Sequence, residues 1–199
     1  MNVPAELNQL RQSLLLEEPV MPSEHRQAAV AIILRAAAEG PLVLLMQRAE
    51  RPGDRWSGQI SLPGGHREAA DASLSATAAR ETREEVGLDL EQRGERLGHL
   101  EPVQALARGR RLELSIAPVV FACRGRESEG APELELGPEA EDAFWLPLQA
   151  AASGELDHGH SYEHEGQQLL LPSWRFEERV VWGLTHKILG TFLPHLDRG

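Results

Sequence analysis

Apolar residues recur along the chain at two spacings, and the changes from one to the other mark its elements. Leu7, Leu10 and Leu14 fall at i, i+3 and i+7, which predicts a short amphipathic helix over residues 4–16. Residues 17–24 are a Pro-containing link, so the helix reads as an appendage to the core. The stretch 26–37, centred on AAVAIIL, and the stretch 41–48, PLVLLMQR, read as strands. Gly40 and Pro41 punctuate the turn between them, which makes an antiparallel pair the simplest arrangement. A brief strand is expected at 59–62, after a Gly- and Arg-rich loop.

Helical spacing then takes over. Ser75, Ala79, Thr82 and Val86 share a face of small residues that can lie against a sheet. Asp71 is placed to accept from the free N–H groups of the first turn, and Gly87 to close the helix in a left-handed cap. Residues 96–106 and 112–122 read as two strands about an Arg-rich turn. The second alternates and then turns wholly apolar, as a strand entering a core does. Next come a polar loop at 127–137, a strand at 144–148 and a short helix at 148–152. A polar hairpin tip at 157–166, a last strand at 169–176 and a closing helix at 182–193 complete the chain. Leu184, Ile188, Leu189 and Phe192 repeat through that helix at its own period.

Composition narrows the setting. The 199 residues, 41% of them apolar, suffice for one domain with a real core, placed at 25–199 behind the helix and linker at 1–24. No apolar run approaches the roughly eighteen residues of a membrane span. The N-terminus has acids and no basic lead-in to an apolar stretch, so no secretory leader is expected. The single cysteine, Cys123, excludes an intramolecular disulfide and a cysteine-based zinc site, and a reducing cytoplasm is the simplest location. The net charge of −11 argues against a nucleic-acid polymer as partner. It also requires local basic groups and cations to draw in an anionic substrate.

The chemistry concentrates between Gly64 and Leu88. Glu81, Glu84 and Glu85 fall at i, i+3 and i+4 on one helix face, where like charges repel. A divalent cation reverses that sign: Mg²⁺ takes carboxylate oxygens together with substrate phosphates. Taken alone, such a helix also reads as a solvated acidic face. Upstream, Arg48, Arg51 and Arg55 can offer forked donors to phosphate oxygens, and Trp56 can stack on a base. Solvated arginines and a packed Trp56 are the competing reading there. The arginines at 108, 110 and 111 read as a soluble hairpin tip, and His158, His160 and His164 as exposed residues of another.

Gly64-Gly65, Arg80-Glu81, Glu84-Glu85 and Gly87-Leu88 together resemble the signature of the Nudix hydrolases. The match has departures. Counted back from Arg80, the first glycine of the signature falls on His66, and the glycine stands one place early at Gly65. Its early glutamate falls on Ala72, beside Asp71, and Thr82 replaces an aliphatic residue. The shift, and Asp71-Ala72-Ser73, resemble the coenzyme A pyrophosphatase branch, whose signature has an extra residue there. Leu44-Leu45 with Arg48, Gly58-Gln59, Leu62-Pro63-Gly64-Gly65, the segment 139–148 and Trp182-Gly183 with Thr185 resemble the same branch. The loop interior departs from it: Asp54 stands at the branch's second arginine, Leu62 at a common phenylalanine, and the loop is one residue longer.

The resemblance implies a Nudix fold of the α/β class, a mixed β-sheet in an α/β/α sandwich. It implies hydrolysis of a nucleoside diphosphate linked to another moiety. Coenzyme A or acyl-coenzyme A comes first, ahead of ADP-ribose, dinucleotides or nucleoside triphosphates. A non-catalytic ligand sensor of the same fold is the third reading, opposed by the retention of all three carboxylates. Glu81, Glu84, Glu85 and the Gly65 carbonyl would hold Mg²⁺ or Mn²⁺, and Arg80 would orient the carboxylates. Glu84, Glu85 or a loop acid would take a proton from water, with Glu139 ahead of Glu141 and Asp142. Gly64, with Arg48, Arg51, Arg55 and Trp56, falls to the small-molecule diphosphate substrate. Dimers are common in the family, so a homodimer is compatible with the resemblance.

Overall fold

A computed structural model describes the chain apart from residues 1, 52, 54, 55, 108, 109, 125–129, 165 and 199. Its elements in chain order are α1 (Ala5–Asn8), β1 (Arg26–Arg35), β2 (Leu42–Arg48), β3 (Ile60–Ser61), β4 (Gly64–His66), α2 (Leu74–Val86), α3 (Leu90–Arg93), β5 (Gly94–His99), β6 (Val103–Ala107), β7 (Arg110–Cys123), β8 (Ala140–Pro147), α4 (Leu148–Ala152), β9 (Asp157–His164), β10 (Gln167–Phe176), β11 (Arg179–Trp182) and α5 (Gly183–Phe192). Among the described residues no helix is long and apolar enough to cross a membrane.

These strands form two sheets. The larger has eight strands in the order β3-β2-β1-β7-β5, with β4 on β1, β6 on β7 and β8 on β2. β1 runs parallel to β7, from Arg26 opposite Leu114 to Leu34 opposite Ala122, and antiparallel to β2 and β4, so the sheet is mixed. Alternation along β1 feeds two cores. Ala29, Ala31 and Ile33 face Leu74, Ala78 and Val86 of α2 on one side. Ile32 and Leu34 share the other side with Ile188, Leu189 and Phe192 of α5. Helices therefore cover both faces, as the predicted α/β/α sandwich requires.

Several expectations change. The N-terminal helix is short and continues as a 3-10 turn over Gln9–Gln12. It is no appendage: Leu7, Leu10 and Leu14 are buried in the α5-side core, because its apolar stripe has to leave water and the sheet is open there. The stretch read as one strand at 96–106 is two strands, β5 and β6, which pair in turn with the long β7. The last predicted strand does not end the main sheet. It is β10, the centre of a separate three-stranded sheet ordered β11-β10-β9. The histidine-rich stretch is a strand of that sheet rather than a tip, and His160 stacks on Trp182 with ring centroids 4.3 Å apart. Polar composition concealed the strand, since a strand at a sheet edge need not be apolar. Cys123 ends β7 and is buried, which pushes its thiol up to about 12.

The helix α2 also differs in detail. Its N-cap is Ser73, whose hydroxyl accepts from Ala76 N–H at 3.0 Å, and not Asp71. Its inward stripe is Leu74, Thr77, Ala78, Thr82, Glu85 and Val86, so of the predicted face Thr82 and Val86 point inward while Ser75 and Ala79 lie to the side. Leu74 and Val86 fix that stripe, because the largest apolar groups gain most from leaving water. The buried Thr82 hydroxyl is satisfied by donating to Ala78 O at 2.7 Å.

Candidate active site

Glycines bring β4 and α2 together. A Cβ on Gly64 would lie 2.3 Å from Ala29 O and 2.6 Å from Val30 Cα. A Cβ on Gly65 would lie 2.4 Å from Glu81 Oε1. Only glycine allows the strand to approach both β1 and the helix carboxylates this closely. The Gly64 N–H donates to Glu85 Oε2 at 2.8 Å, and Arg48 Nη1 lies 3.9 Å from Glu85 Oε1. Glu85 is 3% exposed, and burial pushes its carboxyl up to about 7, against the opposing pull of the Gly64 N–H and Arg48. Burial raises Glu81 as well. Glu84, one turn further out, has a half-exposed side chain.

Arg80 ties this group together. Its Nε and Nη2 donate to Asp71 at 3.0 and 3.1 Å, and Nη2 also donates to His66 O at 3.0 Å. Its Nη1 donates to Glu81 Oε1 at 2.9 Å and Glu84 Oε2 at 3.2 Å. The Arg80 guanidinium brings Asp71 down to about 2, aided by donors from Glu68 N–H and the Thr77 hydroxyl. Asp71 in turn, and Glu81 after it, raise Arg80 above its ordinary value. The sequence had singled out Asp71, but as a helix cap. Its actual role as anchor for Arg80 depends on the loop folding back over α2, which no local spacing reveals.

The other end of α2 delivers Glu139. Gly87 adopts φ +71° and its N–H donates to Arg83 O, as the sequence predicts. The loop before β8 then seals the remaining carbonyls: Glu135 N–H donates to Val86 O at 3.0 Å and Gly137 N–H to Glu85 O at 2.8 Å. A Cβ on Gly137 would stand 1.9 Å from Glu84 O, so this contact too requires glycine. Glu139 comes two residues later. Its carbonyl accepts from Ala49 N–H at 2.9 Å, and its carboxylate from Arg51 Nη1 at 3.0 Å. The charge of Glu139 raises both Glu81 and Glu85, which puts it within electrostatic reach of the helix carboxylates. Asp142 is engaged elsewhere. Arg179 Nε and Nη2 hold it at 2.9 and 2.7 Å, on the side of β8 where Arg179 covers the Phe144 ring. Glu141 is exposed.

Gly64, Gly65, Arg80, Glu81, Glu84, Glu85, Glu139, Arg48 and Arg51 are thus linked by contacts or mutual electrostatics. Trp56, 37% exposed, is on the loop between β2 and β3. Arg55 lies outside the described residues. Among the described residues no group of three or more His, Cys, Asp and Glu side chains is gathered tightly enough to hold a metal as it stands. Arg80 draws Glu81 and Glu84 to itself, and Gly64 holds Glu85. The donor set, all carboxylate and carbonyl oxygen, fits a hard cation such as Mg²⁺ or Mn²⁺ in its chemistry.

Comparison with known proteins adds to the geometry. The NUDIX domain model matches residues 25–164. This chain belongs to the Nudix family. The match stops within the second sheet, before β10, β11 and α5. A Nudix relative from Salmonella newport (strain SL254), described as the uncharacterized Nudix hydrolase NudL, is 34% identical over 188 residues, covering 92% of this chain and 91% of its own. An uncharacterized protein of Schizosaccharomyces pombe is 60% identical over 50 residues, 25% of this chain and 15% of that protein. Among solved structures, a MutT/nudix family protein from Enterococcus faecalis superposes with a TM-score of 0.54 over 99% of this chain and 76% of its own, at 18% identity. A Caenorhabditis elegans Ap4A hydrolase gives 0.50 over 64% of this chain and 84% of its own, at 22% identity. Both show the shared fold. As a Nudix hydrolase the chain is a pyrophosphohydrolase, an enzyme acting on a diphosphate.

Proposed function

We propose that the chain hydrolyses the diphosphate of coenzyme A or acyl-coenzyme A, giving phosphopantetheine and adenosine 3′,5′-bisphosphate. The observation that carries this reading is the position of Gly65. Gly65 is packed against Glu81, which supports reading it as the glycine of the signature, with the extra residue between it and the helix. That is the spacing in which the sequence resembles the coenzyme A branch.

Nudix hydrolases generally use divalent cations such as Mg²⁺ or Mn²⁺. Glu81, Glu84, Glu85 and the Gly65 carbonyl are the groups proposed to hold them. A bound divalent cation supplies charge neutralisation at the diphosphate oxygens and activates water for attack. The remaining work belongs to the chain. Arg80, anchored on Asp71, sets where Glu81 and Glu84 point. Glu85, shifted towards neutrality by burial, or Glu139 takes the proton of the attacking water. Arg48, Arg51, Arg55 and Trp56 receive the anionic, base-bearing substrate, offsetting the repulsion of a net charge of −11. The lone buried thiol of Cys123 suits the reducing cytoplasm as the working compartment.

The test is hydrolysis of coenzyme A, a short acyl-coenzyme A, ADP-ribose, NADH and a deoxynucleoside triphosphate, each with Mg²⁺ or Mn²⁺. The expected result is a clear preference in kcat/KM for the coenzyme A compounds. Preference for another compound would keep the reaction and replace the substrate. Binding without turnover of any of them would favour a sensor.

A further inference from the structure

The Nudix signature does not explain why Arg51 and Glu139 hold one another. Arg51 Nη1 donates to Glu139 Oε1 at 3.0 Å and Nη2 to Pro138 O at 2.8 Å. The Arg51 N–H donates in turn to the Ser57 hydroxyl at 2.7 Å, which fixes the start of the arginine within its own loop. Alongside, Ala49 N–H donates to Glu139 O. The loop after β2 and the segment before β8 are therefore zipped by backbone and side chain at one point. The guanidinium that could grip a phosphate is occupied by the carboxylate that could serve the chemistry.

We propose that Arg51 exchanges partners on substrate binding: it holds Glu139 in the free enzyme and releases it when a substrate diphosphate takes the guanidinium. Three observations support the exchange. The pair is open to water, with side chains 44% and 48% exposed, and an ion pair so exposed adds little net stability. A diphosphate offers the same planar fork more charge and more acceptor oxygens than one carboxylate, so it competes well for arginine. Glu139 also stands beside like charge: Gly137 N–H, two residues before it, donates to Glu85 O at 2.8 Å, which ties its segment to the helix that carries Glu81, Glu84 and Glu85, and Arg48 is the cation placed against Glu85 at 3.9 Å. Arg51 compensates that repulsion in the free enzyme. Once it turns to substrate, Glu139 is free to act beside the helix carboxylates. Arg51 thereby couples substrate arrival to the readiness of the acid. This inference rests on the reading of the site as a diphosphate hydrolase, but not on the choice of coenzyme A.

A double-mutant cycle on binding tests it, using α,β-methylene-ADP as a non-hydrolysable diphosphate in chelator-treated buffer, so that loss of a cation ligand does not enter. Glu139→Gln removes the competitor for Arg51 and is expected to tighten binding about fivefold, the factor an exposed ion pair allows. Arg51→Met is expected to weaken it about tenfold or more. In the Arg51→Met background, Glu139→Gln is expected to change binding less than twofold. Equal tightening in both backgrounds would reduce the effect to general repulsion and overturn the exchange. So would weaker or unchanged binding in Glu139→Gln, or no measurable binding by the parent enzyme. With the enzyme's own substrate and Mg²⁺, Arg51→Met is expected to raise KM far more than it lowers kcat. Because coenzyme A, ADP-ribose and dinucleotides all present an ADP group, failure of this cycle is distinct from failure of the coenzyme A assignment.

Discussion

Burial sets the behaviour of Glu85. Its folded pKa of about 7 lies above the ordinary 4.5, because desolvation outweighs the Gly64 N–H and Arg48. A carboxyl raised on folding favours the folded state while it is protonated. Its contribution is full below pH 4.5, is lost as pH rises from there to about 7, and stays lost above. For a shift of this size that loss is roughly 3 kcal/mol as an upper figure. The expected result for Glu85→Gln in chelator-treated buffer is a Tm at or above the parent's at pH 8 and a flatter profile between pH 4.5 and 7. The same variant is expected to lose about 10²-fold or more in kcat with its fold intact, and circular dichroism alongside a rate assay checks both. Sequence spacing placed Glu85 beside Glu81 and Glu84. It could not reveal that one carboxylate of the three is nearly sealed from water, because β4 and β2 close over it only in the folded chain.

At the scale of the element, α2 is defined by what packs against its two ends. Local signals stated where it stops, since Gly87 is read directly from the left-handed cap. They misplaced where it starts: the sequence pointed to Asp71 as the cap, but Arg80 recruits Asp71 and the cap is Ser73. The two glycines of β4 separate structural from functional demands. Gly64→Ala drives a Cβ into the backbone of β1, which cannot yield, and is expected to destabilise by roughly 2 kcal/mol or more in chemical denaturation. Gly65→Ala meets the far end of Glu81, which can swing aside. It is expected to change stability by less than about 1 kcal/mol. Its activity should still fall at least about tenfold, because a small misplacement of a site group is costly to rate. If Gly65→Ala retained full activity, the Gly65–Glu81 contact would have no part in the reaction.

At the scale of the whole molecule, the N-terminal segment is integral. Leu10→Ala is expected to destabilise by about 2–5 kcal/mol, as core truncations do, where an appendage would tolerate it within about 0.5 kcal/mol; urea unfolding separates the two outcomes. Periodicity showed which face of that helix is apolar but not what would cover it, since an amphipathic stripe names no partner. The second sheet was hidden for a related reason: β9 is polar along most of its length, and strand character there comes from pairing with β10. Local patterns were enough to specify the α/β class, the paired apolar strands, the three-carboxylate face of α2 and the glycine that ends it. Each of these is written in residue spacing and backbone preference. Folding in three dimensions was needed to make Asp71 the anchor of Arg80, to bury Glu85, to give Asp142 to Arg179 and to bring Arg51 to Glu139. Those contacts join residues from 9 to 88 positions apart, and only the packing of strands and helix brings them within hydrogen-bonding distance.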